Sequence, residues 1–230
     1  RWTEGPEGQA NGGLGTPFWN GTAGGSPVYM TGAPFNNASV PGLIMWMDGN
    51  DPNGDGTPES TTANINIWND KSEDGRHFTW KRGNPRFEAN VLNGLGVVDF
   101  DGNDGIGQSD NSMYNDLANG FTMFAVSRYD GTDSERVITS SEDWNWLFAG
   151  HSQYHTRVAH FGGWLYQGPN QEQDNNDWHI FEVTHTNTDR GSVWLDTVNV
   201  VTNGTGSNNT NYRPKRMRFG GYRGVQGGNT

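Results

Sequence analysis

The sequence predicts an all-β fold, a two-sheet antiparallel sandwich of the jelly-roll kind, and three observations predict it. Apolar residues come in short runs bounded by Gly, Asn or Asp, and helical periodicity is almost absent. Polarity comes from Gly, Asn, Ser and Thr more than from charge, since charged residues amount to only 18%. Hydrophobic residues reach just 31%, yet ten Trp, eleven Phe and seven Tyr supply enough buried area per residue to fill the space between two sheets.

The elements follow in order. Residues 1–38 read as a Gly-rich lead-in or linker with aromatic anchors such as Phe18, Trp19, Tyr29 and Phe35, and residues 39–230 as one large β domain. The apolar run Val40 to Met47, broken only by Pro41 and Gly42, reads as a strand buried on both faces that stops at Asp48. Further strands are expected at Ile65 to Trp68, His77 to Lys81, Gly96 to Phe100, Phe121 to Arg128, Arg136 to Thr139 and Trp144 to Ala149. The rest fall at Val158 to Tyr166, Trp178 to Thr186, Ser192 to Asp196 and Arg216 to Gly221. Ser112 to Ala118 carries the one weak helical pattern, a single turn joining strands.

Charge narrows the partners. A net charge of −11 and a pI near 4.8 argue against nucleic acid and anionic membrane surfaces, and leave divalent cations as the natural charged partner. No apolar run approaches the length of a membrane span, and no cysteine offers a disulfide, a thiolate metal site or a nucleophile. The chain begins at Arg1 without a signal-peptide pattern, as expected of a piece of a longer polypeptide.

Four segments follow one another in a recognisable order: Pro41-Gly42-Leu43-Ile44-Met45-Trp46-Met47-Asp48, Trp68-Asn69-Asp70-Lys71-Ser72, Leu92-Asn93-Gly94-Leu95-Gly96-Val97-Val98-Asp99-Phe100-Asp101-Gly102 and Phe121-Thr122-Met123-Phe124-Ala125-Val126. In this the chain resembles the concanavalin A-like lectin/glucanase superfamily, in the laminin-G-like form of large bacterial extracellular proteins, over about residues 40 to 221. The resemblance implies a two-sheet jelly roll, often with a calcium ion, and roles in glycan binding, adhesion or targeting of an attached enzyme. Where such domains close with a further strand, this chain ends in Gly227-Gly228-Asn229-Thr230. The last strand is therefore expected to be missing, leaving an open edge beside Met217 to Gly221 for a strand from a neighbouring domain, the lead-in or another copy.

Asp51-Pro52-Asn53-Gly54-Asp55-Gly56 has the D-x-N-x-D-G spacing of a calcium loop, in which alternate oxygen-bearing side chains converge on a hard cation. Thr62 stands where an EF-hand has Glu, so Asp48 and Glu59 are the candidates to complete the shell around Asp51, Asn53 and Asp55. A plain polar turn is the alternative. A second acidic group, Asp99, Asp101, Asn103 and Asp104, reads chiefly as a solvated strand end with an Asp-Gly turn.

Sugars are held by stacking on rings while Asn and His bond hydroxyls, and such side chains crowd the segment 141–166. Trp144, Asn145, His151, Tyr154, His155, Trp164 and Tyr166 are the candidate ligand residues, although Trp144, Trp146 and Phe148 alternate as a buried strand face would. The histidines match no helical zinc spacing. A retaining glucanase of this fold needs two Glu four or five residues apart on one strand, and the nine Glu contain no such pair. Tyr154-His155-Thr156-Arg157 would serve a lyase only if neighbours on a strand shared a face, which they do not. The expected function is a carbohydrate-binding or adhesion module of a secreted or surface protein, calcium-dependent and without catalysis. A self-assembling surface-layer or filament domain is the alternative, and a polysaccharide lyase or hydrolase the third reading.

Overall fold

The computed structural model describes residues 17–18, 28–29, 40–110, 113, 115–129, 135–140, 146–151, 154–161, 163–167, 177–186, 191–202 and 214–220, with the backbone alone at 17–18, 28–29, 154–158 and 166–167. The chain divides into two compact units, 1–43 and 44–230. In the first, β1 (Pro17–Phe18) pairs antiparallel with β2 (Val28–Tyr29).

The second unit is all-β, with no helix among the described residues. Its strands are β3 (Ala63–Asn64), β4 (Trp80–Arg82), β5 (Arg86–Leu92), β6 (Leu95–Asp99), β7 (Gly105–Gly107), β8 (Gly120–Ser127) and β9 (Arg136–Ser140). They continue with β10 (Trp146–His151), β11 (Tyr154–Phe161), β12 (Trp164–Gln167), β13 (His179–Thr186), β14 (Ser192–Leu195), β15 (Val198–Val201) and β16 (Met217–Gly220). A seven-stranded antiparallel sheet, the large sheet, runs β12-β11-β10-β9-β16-β7-β4, a four-stranded one, the small sheet, runs β15-β14-β13-β8, and a separate three-stranded sheet runs β3-β5-β6.

The two larger sheets share a core because each strand turns alternate side chains inward. Trp146 and Phe148 of β10, Phe161 of β11, Ile106 of β7 and Met217 of β16 meet Phe181 and Val183 of β13 and Val193 of β14 in one buried cluster. Rings join the layers directly: Phe148 lies edge-on to Phe181 at 6.0 Å and Phe121 beside Phe161 at 5.3 Å. Tight turns set the register. Asn93 and Gly94 both take positive φ between β5 and β6, as a two-residue hairpin requires, and Asp196 and Thr197 do the same between β14 and β15.

Three expectations need correction, the first being Ile65 to Trp68, which is no strand: β3 ends at Asn64 and Trp68 makes an isolated bridge to Phe78. The run Val40 to Met47 is not a strand: it makes a turn at Pro41–Gly42, and Met47 forms only an isolated bridge to Asp70. Its backbone is held by a side chain instead, since Trp46 N–H donates to Asp70 Oδ1 (2.8 Å) while Lys71 N–H donates to Trp46 O. Nor is there an open edge beside Met217–Gly220. Strand β16 lies inside the large sheet, paired to β7 on one side and β9 on the other, so the backbone groups expected to await a donated strand are already bonded.

The segment Trp68 to Ser72 turns out to be an organising knot. Trp68 is buried, and its ring N–H reaches Asp48 O. The buried Asp70 carboxylate accepts from Trp46 N–H, Ser72 N–H, Ser72 Oγ–H and Arg76 N–H, which satisfies it without a counterion.

Candidate functional site

Of the expected ligand residues, the side chains of His151 and Trp164 are the described ones. Trp144 and Asn145 lie outside the described residues. Tyr154 pairs with His151 across the β10–β11 ladder and Tyr166 with Ala159 across β11–β12, while His155 lies on β11. The His151 ring places Nδ1 3.0 Å from Glu135 O, and Trp164 meets His160 edge to face at 4.9 Å. Trp146, Phe148 and Phe161 of this region are core.

The register shows what the outward face of the large sheet does. Trp80, Gly107, Arg218, Thr139, Leu147, His160 and Trp164 form one row across the strands. Its middle is covered: Leu147 is only 2% exposed, and Arg218 and Thr139 are buried too. Arg218 passes over Gly107 to stack on the Trp80 ring, its guanidinium carbon 3.5 Å from the ring centre. A Cβ on Gly107 would come within 2.4 Å of Arg218 Cγ and 2.6 Å of Met217 O, so glycine is what lets the arginine lie flat.

The acidic loop is built from Asx turns. Gly54 and Gly56, both at positive φ, donate their N–H groups to Asp51 Oδ1 and Oδ2, Asp55 N–H donates to Asn53 Oδ1, and Thr57 N–H to Asp55 Oδ1. The cation between Asp48 and Asp51 is the Lys71 ammonium, 2.9 Å from one carboxylate and 2.7 Å from the other, lying over the Trp46 ring. Desolvation pulls the Lys71 pKa down, but the hydrogen bonds and attraction to Asp51 and Asp48 outweigh it, and the net shift is upward. Asn53 and Asp55 sit exposed and bonded to each other, and Glu59 is tied in through its backbone, N–H to Asn50 O. A calcium ion needs six to eight oxygens turned to one centre, whereas among the described residues no three Asp, Glu or His side chains come together as a metal set. In this arrangement Asp48 and Asp51 hold a lysine while Asn53 and Asp55 bond each other, and the five residues do not form a calcium shell. Asp101 likewise serves a turn, its Oδ1 accepting Asn103 N–H, while the buried Asp104 accepts Asn84 N–H and Asp99 ends β6 opposite Arg86.

The small sheet carries a surface that sequence reasoning missed. The period of two sends Phe121, Met123 and Ala125 of β8 and Phe181, Val183 and His185 of β13 toward the core. It leaves Phe124, Val126 and Ile180 outward, 67%, 57% and 48% exposed. Phe124 stands opposite Glu182, Glu182 opposite Trp194, and Trp194 opposite Asn199, which gives a row of ring, carboxylate, ring and amide across four strands. Thr122 and Thr184 flank this row on one side and Val126 and Ile180 on the other. At the far end Arg128 lies over the Trp178 ring. Burial pushes the Glu182 carboxyl above its ordinary value, and this carboxylate has no hydrogen-bond or ion-pair partner among the described residues. The signal available in sequence was that β8 is apolar on both faces, with Phe124 and Val126 alternating with core residues.

No family model matches the chain, and no curated protein does. Among solved structures, similarity is found to botulinum neurotoxin type C, studied for a cell entry that depends on interaction with two ganglioside molecules. The identity is 13% and the TM-score 0.43, over 66% of this chain and 40% of that one. The chain thus spans less than half of the neurotoxin chain, and a likeness of this size bears on neither its fold nor its function.

Proposed function

We propose that the chain is a glycan-binding module of a secreted or cell-surface protein, a sandwich of the concanavalin A-like, laminin-G-like type, whose ligand lies on the outward face of the small sheet. The observation that carries the reading is the row Phe124, Glu182, Trp194 and Asn199. Neighbouring strands stand about 4.8 Å apart, so the two rings are two strands, or about 10 Å, from each other, room for consecutive sugars of one chain to lie across them. Rings receive the C–H faces of sugars, and the carboxylate and the flanking threonines receive hydroxyls. The apolar surface is open to water, which a folded domain tolerates best where a ligand covers it.

A glycan array and soluble polysaccharide titrations with the 230-residue chain test this. Trp194→Ala should weaken binding by about 1–3 kcal/mol, with an unchanged melting profile. Retention of full affinity by both Trp194→Ala and Phe124→Ala would overturn the assignment of the face. The same apolar exposure favours one other reading, association with further copies in a surface layer. Sedimentation separates the two: the glycan reading expects a monomer, whereas concentration-dependent growth abolished by Phe124→Asp supports assembly.

A further inference from the structure

We infer that this face selects glycans bearing free amines, with Glu182 as the residue that pairs with a sugar ammonium seated between Phe124 and Trp194. The inference rests on the glycan reading above and adds the class of sugar. Glu182 lies directly between the two rings in the register, one strand from each. An ammonium over the carboxylate is therefore about 5 Å from either ring column, inside the roughly 6 Å over which a cation is attracted to an aromatic face. Its neighbours along the sheet are Val126 and Ile180 on one side and Thr122 and Thr184 on the other, so no positive side chain of these rows already serves it. Arg128, at the end of the face, is placed over Trp178.

Every other feature of the row accepts a neutral sugar equally well; the carboxylate, unpaired among the described residues, gains more from a cation. A neutral hydroxyl returns less than the charge-assisted bond the group forms with a cation. Burial disfavours the charged form in the free protein, and an arriving ammonium relieves that penalty. The overall charge of −11 works in the same direction, drawing cationic polymers and repelling uronate or sulfated ones. Asn199 at the end of the row is already engaged, its Nδ2 donating to Val201 O and its Oδ1 accepting from Thr202, whereas the Glu182 carboxylate has no such partner among the described residues.

The test uses the full chain in mildly acidic buffer, titrated with glucosamine oligomers, the fully N-acetylated oligomers of the same length, a neutral glucan and an oligolysine. The free-amine oligomer should bind at least about tenfold tighter than its acetylated twin. Glu182→Gln should erase that preference while leaving the acetylated affinity in place, and Glu59→Gln, with the same change in net charge, should leave the preference intact. Equal binding of the two oligomers overturns the inference and leaves the glycan reading standing, as does loss of the preference in Glu59→Gln, which would make it bulk attraction. Oligolysine binding as tightly as the amino sugar overturns it in favour of a basic peptide. If no sugar of any kind binds, the glycan reading itself fails.

Discussion

The two large sheets turn opposite kinds of chemistry outward. On the seven-stranded sheet the middle of the outward row is Arg218, Thr139 and Leu147, mixed in polarity yet buried, with the arginine stacked on Trp80. On the four-stranded sheet it is Phe124, Val126, Ile180 and Trp194, apolar yet exposed or half-exposed. Residue type alone would have assigned the faces the other way round. Polar groups can be covered when each finds a partner, as the Thr139 hydroxyl does by donating to Trp146 O. Apolar groups left in water have no such remedy within the domain, and the open face is where an external partner gains most by binding.

The largest expected effect lies in the acidic loop, which belongs to neither face and shows what an internal partner is worth. Lys71→Met leaves the Asp51 carboxylate, 2% exposed, without its cation, and should cost about 3 kcal/mol in a denaturant titration. Because Lys71 already joins Asp48 and Asp51 in the wild-type loop, melting in chelator and in calcium should coincide. A rise in melting temperature with calcium would show that the loop rearranges into a metal shell after all.

The covered face should be the more sensitive of the two. Gly107→Ala forces its Cβ against Arg218 and the Met217 carbonyl and should cost about 1–3 kcal/mol, with loss of the Trp80 fluorescence environment. Phe124→Ser, on the open face, should change stability by no more than about 0.5 kcal/mol. Equal costs at the two positions would mean that the faces do not differ in cover.

The smallest effect is a pH dependence. Because the folded-state pKa of Glu182 is raised, its contribution is fully present below the ordinary glutamate value and is lost as the pH rises through the raised one. Glu182→Gln should match the wild type in acid and become slightly the more stable of the two toward neutrality. Parallel stability curves across that range would place Glu182 in ordinary solvent.

The strands rich in β-branched and aromatic residues, among them β8, β9, β13 and β14, were legible because such residues form short runs bounded by turn residues. Three were not. Gly105–Gly107 has two weak strand formers around one isoleucine, and its glycines admit Arg218 and Trp80 beside it. Strands β5 and β15 each belong to a hairpin whose turn residues, Asn93–Gly94 and Asp196–Thr197, carried the signal, one plainly and one disguised by a threonine at positive φ. The role of Lys71 was hidden for another reason. It lies 20 residues from Asp51 in the chain, and motif spacing sees only near neighbours. The Phe124–Glu182–Trp194 row was hidden because it spans three strands, and register alone brings it together.

The most direct measurement of the central claim is amide chemical-shift mapping of the bound chain against the free one, titrated with the best-binding glycan. Shifts are expected to concentrate at residues 122–126, 180–184 and 192–199, with Trp194 and Glu182 foremost. Shifts concentrated instead at residues 146–151 and 160–166 of the large sheet, with the small sheet silent, would contradict it.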